Sequence, residues 1–140
     1  MIVGQTGSAM RAVTAGDKYL EMRVLSATPE QLVVILYDHL LTQLQRAKLS
    51  IEVGQEDARM TAFDRARKAV TELLLTLDKD RGGAIAGQLD GLYAWMLGEL
   101  IEIGVRPDLD RLGRLIAMVQ ELREAFDAAV RAQASGGIVS

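Results

Sequence analysis

The chain of 140 residues contains no cysteine, two prolines and one histidine, and aromatic residues make up 4% of it. Without cysteine it cannot form a disulfide framework or a thiolate metal site. No uninterrupted apolar run reaches the roughly 18–20 residues that a membrane-spanning helix needs. The N-terminus has no charged segment followed by an apolar one, so we expect no secretory signal. These absences favour a protein of the reducing cytosol that does not insert into membranes.

An excess of positive charge is also missing. Sixteen basic residues stand against nineteen acidic ones, which gives a net charge of −3. The basic residues between positions 59 and 68 are interleaved with acidic ones and lack aromatic neighbours, so we expect no nucleic-acid binding. The length suits one domain with a single core.

Four segments carry apolar residues at the spacing of amphipathic helices. The first begins with an explicit start signal, in which Thr28 is the N-cap, Pro29 occupies the first turn and Gln31 completes a capping box. Gly54 provides its stop, and Asp108 is the predicted N-cap of the last helix. The predicted helices span 29–53, 56–77, 84–103 and 109–131.

Short connections between these helices favour antiparallel neighbours. The predicted fold is therefore all-α, an antiparallel four-helix bundle with a short N-terminal arm or helix. We expect residues 1–18 to form a flexible arm, 19–131 the bundle and 132–140 a flexible tail. Residues 78–83 are predicted to form a polar turn that contains two glycines.

Each predicted helix has one apolar stripe that should face the core. Representative members of the four stripes, in chain order, are Val33, Leu36, Tyr37, Leu40 and Leu44; Met60, Phe63, Ala66 and Val70; Ile85, Leu89, Tyr93 and Met96; and Leu112, Leu115, Val119 and Phe126.

Two groups of apolar or small residues lie outside the predicted core stripes. Leu32, Ile35 and His39 are predicted to lie nearly opposite the core stripe of the first helix. On the third helix, a row of small residues lies opposite the core stripe, although each internal glycine costs about 1 kcal/mol relative to alanine. The row has two explanations. It reflects chance or packing against the N-terminal arm, or it forms a groove for an apolar partner helix. It comprises Gly87, Gly91, Ala94 and Gly98, flanked by Trp95 and Ile101.

Catalytic patterns are weak. A single histidine, His39, cannot build a di-iron bundle, and it is expected to be a partly exposed surface residue. The alternative role for His39 is phosphoryl transfer, as in histidine phosphotransfer domains. Asp78 and Asp80 flank a turn, where solvated capping is the favoured role, and no nucleotide-binding or nucleophile motif is present. We therefore expect no enzymatic activity, and a bundle subunit that forms oligomers through its apolar patches remains a further alternative.

Three blocks of residues, in this order and spacing, resemble the FliS family of flagellar export chaperones over about residues 19–127. Two departures are His39, where the family often has a small residue, and Phe126, where it often has tryptophan. The matching blocks are Tyr19, Val24, Ala27-Thr28-Pro29, Leu32 and Leu36-Tyr37-Asp38; then Glu72-Leu73, Leu77-Asp78, Gly82-Gly83, Leu89 and Leu92-Tyr93; then Leu122-Arg123 and Phe126.

The resemblance implies a cytosolic chaperone that binds the C-terminal segment of flagellin, prevents its premature polymerisation and assists its delivery to an export gate component. It implies no cofactor, and the apolar patches leave a weak homodimer open. The segment around Tyr19 resembles the family's N-terminal segment, which can cover part of the client site. The predicted partner-binding residues are Tyr19, Met22, Val24, Leu32, Ile35, Tyr37, Gly91, Trp95 and Gly98.

Overall fold

A computed structural model describes residues 18–77 and 79–139, with side chains for 18, 21–77 and 83–132. This part of the chain contains five helices and no strand, which confirms the all-α helical-bundle prediction. The helices are α1 (Lys18–Ser26), α2 (Pro29–Val53), α3 (Glu56–Thr76), α4 (Lys79–Val105) and α5 (Leu109–Val139).

The helix ends that local sequence signals predicted are confirmed. The Gln31 backbone N–H donates to the Thr28 hydroxyl at 3.2 Å, and the Thr28 N–H donates to the Gln31 side chain at 3.0 Å. Gly54 ends α2 in the left-handed region with φ 75°, where a residue without Cβ is unstrained. The Asp108 carboxylate caps α5 by accepting a hydrogen bond from the Arg111 backbone N–H at 3.1 Å.

Two predicted ends differ. The helical segment α4 begins at Lys79 and is interrupted at Gly83, whose φ of 56° breaks the helix within the predicted turn. The side chains of Asp78 and Asp80 lie outside the described residues, as does the predicted arm up to residue 17. At the other end, α5 continues to Val139 instead of ending near Arg131. The alanine and glutamine residues that follow Arg131 tolerate or favour helix, so nothing stops it there.

The helices pack in a defined order. α2 lies between α3 and α5 and packs closely along both, and α4 packs closely along α3. The backbones of α4 and α5 approach each other closely at few positions, and α1 touches α2. The core therefore depends on large side chains that reach between helices, chiefly Leu36, Tyr37, Leu40, Leu44, Phe63, Leu73, Tyr93, Met96, Leu100, Ile103, Leu112 and Leu115.

A pair of buried tyrosines joins helices at the centre of the bundle. The hydroxyls of Tyr37 on α2 and Tyr93 on α4 are hydrogen-bonded to each other. The Tyr37 ring also lies 5.3 Å, centroid to centroid, from the ring of Phe126 on α5. These contacts connect α2 with α4 and α5 in the middle of the core.

Ion pairs attach α5 to the rest of the bundle. The Arg123 Nε lies 2.9 Å from the Asp38 carboxylate on α2. Arg111 contacts Glu99 and, at 2.6 Å, Glu102, both on α4. The hydrogen bonds to these two carboxylates raise the pKa of the Arg111 guanidinium. Ion pairs therefore hold α5 to α2 and α4, although its backbone meets that of α4 at few positions.

The tyrosine pair predicts a loss of stability at high pH. Burial raises the pKa of both phenols above their usual value of about 10, and for Tyr37 the neighbouring Tyr93 adds to the effect. Their contribution is therefore complete below pH 10 and is lost as the pH rises further, because the unfolded chain ionises first. We expect the urea midpoint to fall more steeply between pH 9.5 and 11 (roughly the unfolded phenol range) than it does for a Tyr37→Phe/Tyr93→Phe variant. Equal slopes would contradict this prediction.

Candidate partner-binding surface

The outward side of α4 exposes apolar and small residues. Ala86, Leu89, Tyr93, Met96, Leu100 and Ile103 alternate at spacings of three and four and turn inward, so the opposite side must face outward. Trp95 and Ile101 are 50% and 54% exposed. We call the α4 face the set formed by Gly87, Gly91, Ala94, Trp95, Gly98, Ile101 and Val105.

The glycines of the α4 face border open space. Beyond the backbone of its own helix, a Cβ added at Gly87, Gly91 or Gly98 would meet no heavy atom within 4 Å. The prediction that this row lies on the surface is confirmed, because all its members are exposed. Since a glycine row presents bare backbone, the axis of a second helix can come closer here than over ordinary side chains.

The α4 face has almost no charge. Between residues 84 and 105, all of which the structure describes, Glu102 is the only charged side chain in the outward arc. Its carboxylate binds the Arg111 guanidinium at 2.6 Å. A partner docking here therefore meets apolar surface without having to desolvate an unpaired charge, which would oppose binding.

The second predicted surface is wrong. Leu32, Ile35 and His39 are all buried, with His39 only 9% exposed. The reason is that α2 is covered over a wider arc than one stripe: α3 and α5 pack along it, and α1, which contributes Val24 to the cluster of Leu32 and Ile35, touches it as well. Gln43 and Ser50 continue this arc and line the contact of α2 with α3. A buried His39 also removes the main support for phosphoryl transfer, which needs an accessible imidazole.

Some of the remaining predicted partner-binding residues are exposed and others are buried. In α1, Met22 is 69% exposed, whereas Val24 is buried in the same core cluster as Leu32. Tyr37 is fully buried and serves the core through Tyr93 and Phe126. Tyr19 belongs to α1, but its side chain lies outside the described set. Gly91, Trp95 and Gly98 alone lie together on one exposed surface.

Two residues predicted for the core are exposed. Ile85 lies one position before Ala86, and Ala86 takes the inward place in the spacing set by Tyr93 and Met96. The Met60 side chain points away from the core because Ala62 and Phe63 face inward in the same turn of α3. Sequence reasoning also missed Leu49 and Val53, which extend outward from the end of α2. Both residues lie outside the predicted core stripe of α2, and this position could have identified them as exposed apolar residues.

The described residues provide neither a membrane-spanning helix nor a metal-binding group of side chains. No helix there is long and apolar enough to cross a membrane. Nor do three or more histidine, aspartate or glutamate side chains in that part of the chain come together in a group that could hold a metal ion.

Comparison with known proteins identifies the family. A family model described as flagellar protein FliS matches residues 12–133. The flagellar secretion chaperone FliS of Salmonella typhimurium is 32% identical over 108 residues, which cover 76% of this chain and 80% of that protein. FliSB of Pseudomonas aeruginosa, also a flagellar secretion chaperone, is 30% identical over 122 residues, 84% of this chain and 97% of that protein. The chain therefore belongs to the FliS family of flagellar secretion chaperones.

Proposed function

We propose that this chaperone acts in the cytosol, binds the C-terminal region of flagellin through the α4 face, prevents its premature polymerisation and assists its delivery to the export gate. The observation that carries the proposal is the α4 face itself, which is apolar, lined with glycine and open above its glycines. An amphipathic client helix would bury its apolar side against this surface. That apolar side is what would otherwise pair with another filament subunit.

The source of the binding energy follows from the composition of the site. Trp95, Ile101 and Val105 supply large apolar side chains, and each Å² of apolar surface that leaves water contributes about 25 cal/mol. Part of this gain is offset by the ordering of a client segment that is unpaired before assembly. No catalytic step or cofactor is needed, because the chaperone acts by covering surface.

A second part of the client site is proposed beneath α1. This nine-residue helix contributes Val24 to a cluster that also contains Leu32 and Ile35. The rest of α1 leaves Met22 and Leu25 exposed, so few apolar contacts hold it on the bundle. We propose that α1, with Tyr19, shields Leu32 and Ile35 in the free chaperone and leaves when the client binds. Tyr37 is not part of this site, because it is committed to the core.

Deletion of residues 1–24 tests the shielding role. Removal of Val24 and the residues before it should expose the apolar surface around Leu32 and Ile35, and no part of the chain would then compete with the client for it. We expect the affinity for a flagellin C-terminal peptide to rise about tenfold, which corresponds to about 1.4 kcal/mol, or the free protein to self-associate. Calorimetry and concentration-dependent light scattering would measure these outcomes. An unchanged affinity together with a stable monomer would contradict shielding by α1.

Calorimetric titration tests the function itself. The full chain is titrated with a flagellin C-terminal peptide of about 40 residues, long enough for more than one helix. We expect one-to-one binding with a negative heat-capacity change, the mark of apolar burial. A folded, helical protein that shows no binding would overturn the proposal. A concentration-dependent mass in the absence of client would instead favour the bundle-subunit alternative.

A further inference from the structure

A second groove lies on another side of the bundle, between α2 and α3. Its volume is about 390 Å³, and it shares no lining residue with the α4 face. Leu49, Ala58 and Ala62 supply apolar surface, while Gln43, Arg46 and Arg65 supply polar groups. We call it the α2–α3 groove.

Gln43 is the least expected of these residues. Its side chain is 1% exposed, yet it lines the groove. Its Oε1 atom is buried and has no hydrogen-bond partner among the residues that the structure describes. Leaving such an acceptor unpaired is unfavourable, because the buried atom has given up its hydrogen bonds to water. An N–H or O–H donor entering the groove would remove that cost.

The charges around the groove are unbalanced. Arg46 and Arg65 form no ion pair with any described residue, whereas Arg59, Arg67 and Lys68 on α3 all pair with carboxylates of their own helix. Asp57 is the one carboxylate in the lining. Two guanidinium groups against one carboxylate leave the groove with an excess of positive charge on a protein whose net charge is −3.

Large apolar side chains extend the groove toward the end of α2. Leu49 is 61% exposed and borders the groove, and Val53 is exposed one turn further along the same helix. Exposed apolar side chains rimmed by charged groups are typical of protein-binding surfaces. The outward arc of α4 instead carries one charged side chain, the carboxylate of Glu102, which is paired with Arg111, so the two surfaces suit partners of different chemistry.

We propose that the α2–α3 groove binds an amphipathic helix of a second protein partner, one that carries acidic side chains beside its apolar stripe. The apolar stripe packs on Leu49, Ala58 and Ala62. The acidic side chains pair with Arg46 and Arg65, and a hydroxyl or amide of the partner donates to Gln43. Because this groove shares no lining residue with the α4 face or with Leu32 and Ile35 beneath α1, the chaperone can hold client and second partner together.

Two designed helical peptides test the chemistry on the 140-residue chain. Both have about 18 residues, a leucine stripe and a central serine, and they differ only in carrying glutamate or lysine beside the stripe. Fluorescence anisotropy should show that the glutamate peptide binds at least tenfold more tightly, with the preference weakening as salt is added. Equal binding of both peptides, or no binding of either, overturns the proposal.

Substitutions locate the binding. Arg46→Glu/Arg65→Glu should reverse the preference between the peptides, whereas Arg106→Glu/Arg114→Glu, which changes the net charge equally at exposed positions outside the groove, should retain it. Gln43→Leu should weaken binding of the glutamate peptide at least fivefold and raise the urea midpoint of the free protein. A saturating flagellin peptide should not displace the glutamate peptide. A preference unaffected by Arg46→Glu/Arg65→Glu, or displacement by the flagellin peptide, overturns the assignment to this groove.

Discussion

Replacement of Gly91 with arginine is expected to abolish binding of the flagellin peptide while it makes the free protein more stable. The space at the Cβ position of Gly91 is open, so a side chain can leave the helix there without displacing a neighbour in the free bundle. Arginine favours helix over glycine by about 0.7–1 kcal/mol, which should raise the melting temperature by a few degrees. In the complex, the same side chain would fill the space that the client backbone needs and place a charge on apolar surface. We expect at least a hundredfold loss of affinity, about 2.7 kcal/mol.

Gly113 provides the matched control. It is also an exposed glycine in a helix with open space at its Cβ position, but it lies on α5. Gly113→Arg should raise the melting temperature to a similar extent and leave the affinity for the flagellin peptide unchanged. Thermal unfolding and calorimetry measure the two quantities. If Gly91→Arg binds as tightly as the unmodified chain, the client does not lie over the α4 face.

The tyrosine pair should show strong coupling in unfolding experiments. Tyr37→Phe would leave the Tyr93 hydroxyl buried without a partner, and Tyr93→Phe would do the same to Tyr37. Each single substitution is expected to cost about 1–3 kcal/mol, because an unpaired buried hydroxyl keeps its full desolvation penalty. The double substitution removes both hydroxyls and should cost less than either single one.

Urea unfolding of the four proteins in this cycle gives the coupling free energy directly. Val119 and Leu112 are buried on α5 and make no hydrogen bond through their side chains, so Val119→Ala and Leu112→Ala serve as a pair for a second cycle in which we expect near-additive costs. Additive costs for Tyr37→Phe and Tyr93→Phe would contradict the coupling. Circular dichroism confirms that every variant remains helical.

Local signals in the sequence predicted much of the architecture. Thr28, Gln31 and Asp108 act within one helical turn, so their capping bonds depend on few other residues. The exposed glycine row was also predictable, because the spacing of Tyr93, Met96, Leu100 and Ile103 determines which side of α4 faces inward. The same use of apolar spacing misplaced Ile85. This residue lies only two positions after the helix break at Gly83, so no preceding turn of helix shows which side of α4 it occupies.

The burial of Leu32, Ile35 and His39 could not be predicted in the same way. Periodicity tells which residues share an arc of a helix, but not how many neighbouring helices cover it. That α2 packs along α3 and α5 and is touched by α1 is a property of the packing order, and it turned three predicted surface residues into buried ones. The unpartnered Gln43 in the α2–α3 groove is equally invisible without the structure.

The sequence by itself therefore determined the helices, most of their ends and the sparsely charged, glycine-rich side of α4, because each of these depends on residues that are near one another along the chain. The family resemblance was also present in the sequence. Only the tertiary structure decided which apolar sides remain exposed. Exposure depends on contacts between helices far apart in sequence, such as those of Tyr37 with Tyr93 and of Arg123 with Asp38. Those contacts are made by side chains that reach across helices, and no local pattern encodes their partners.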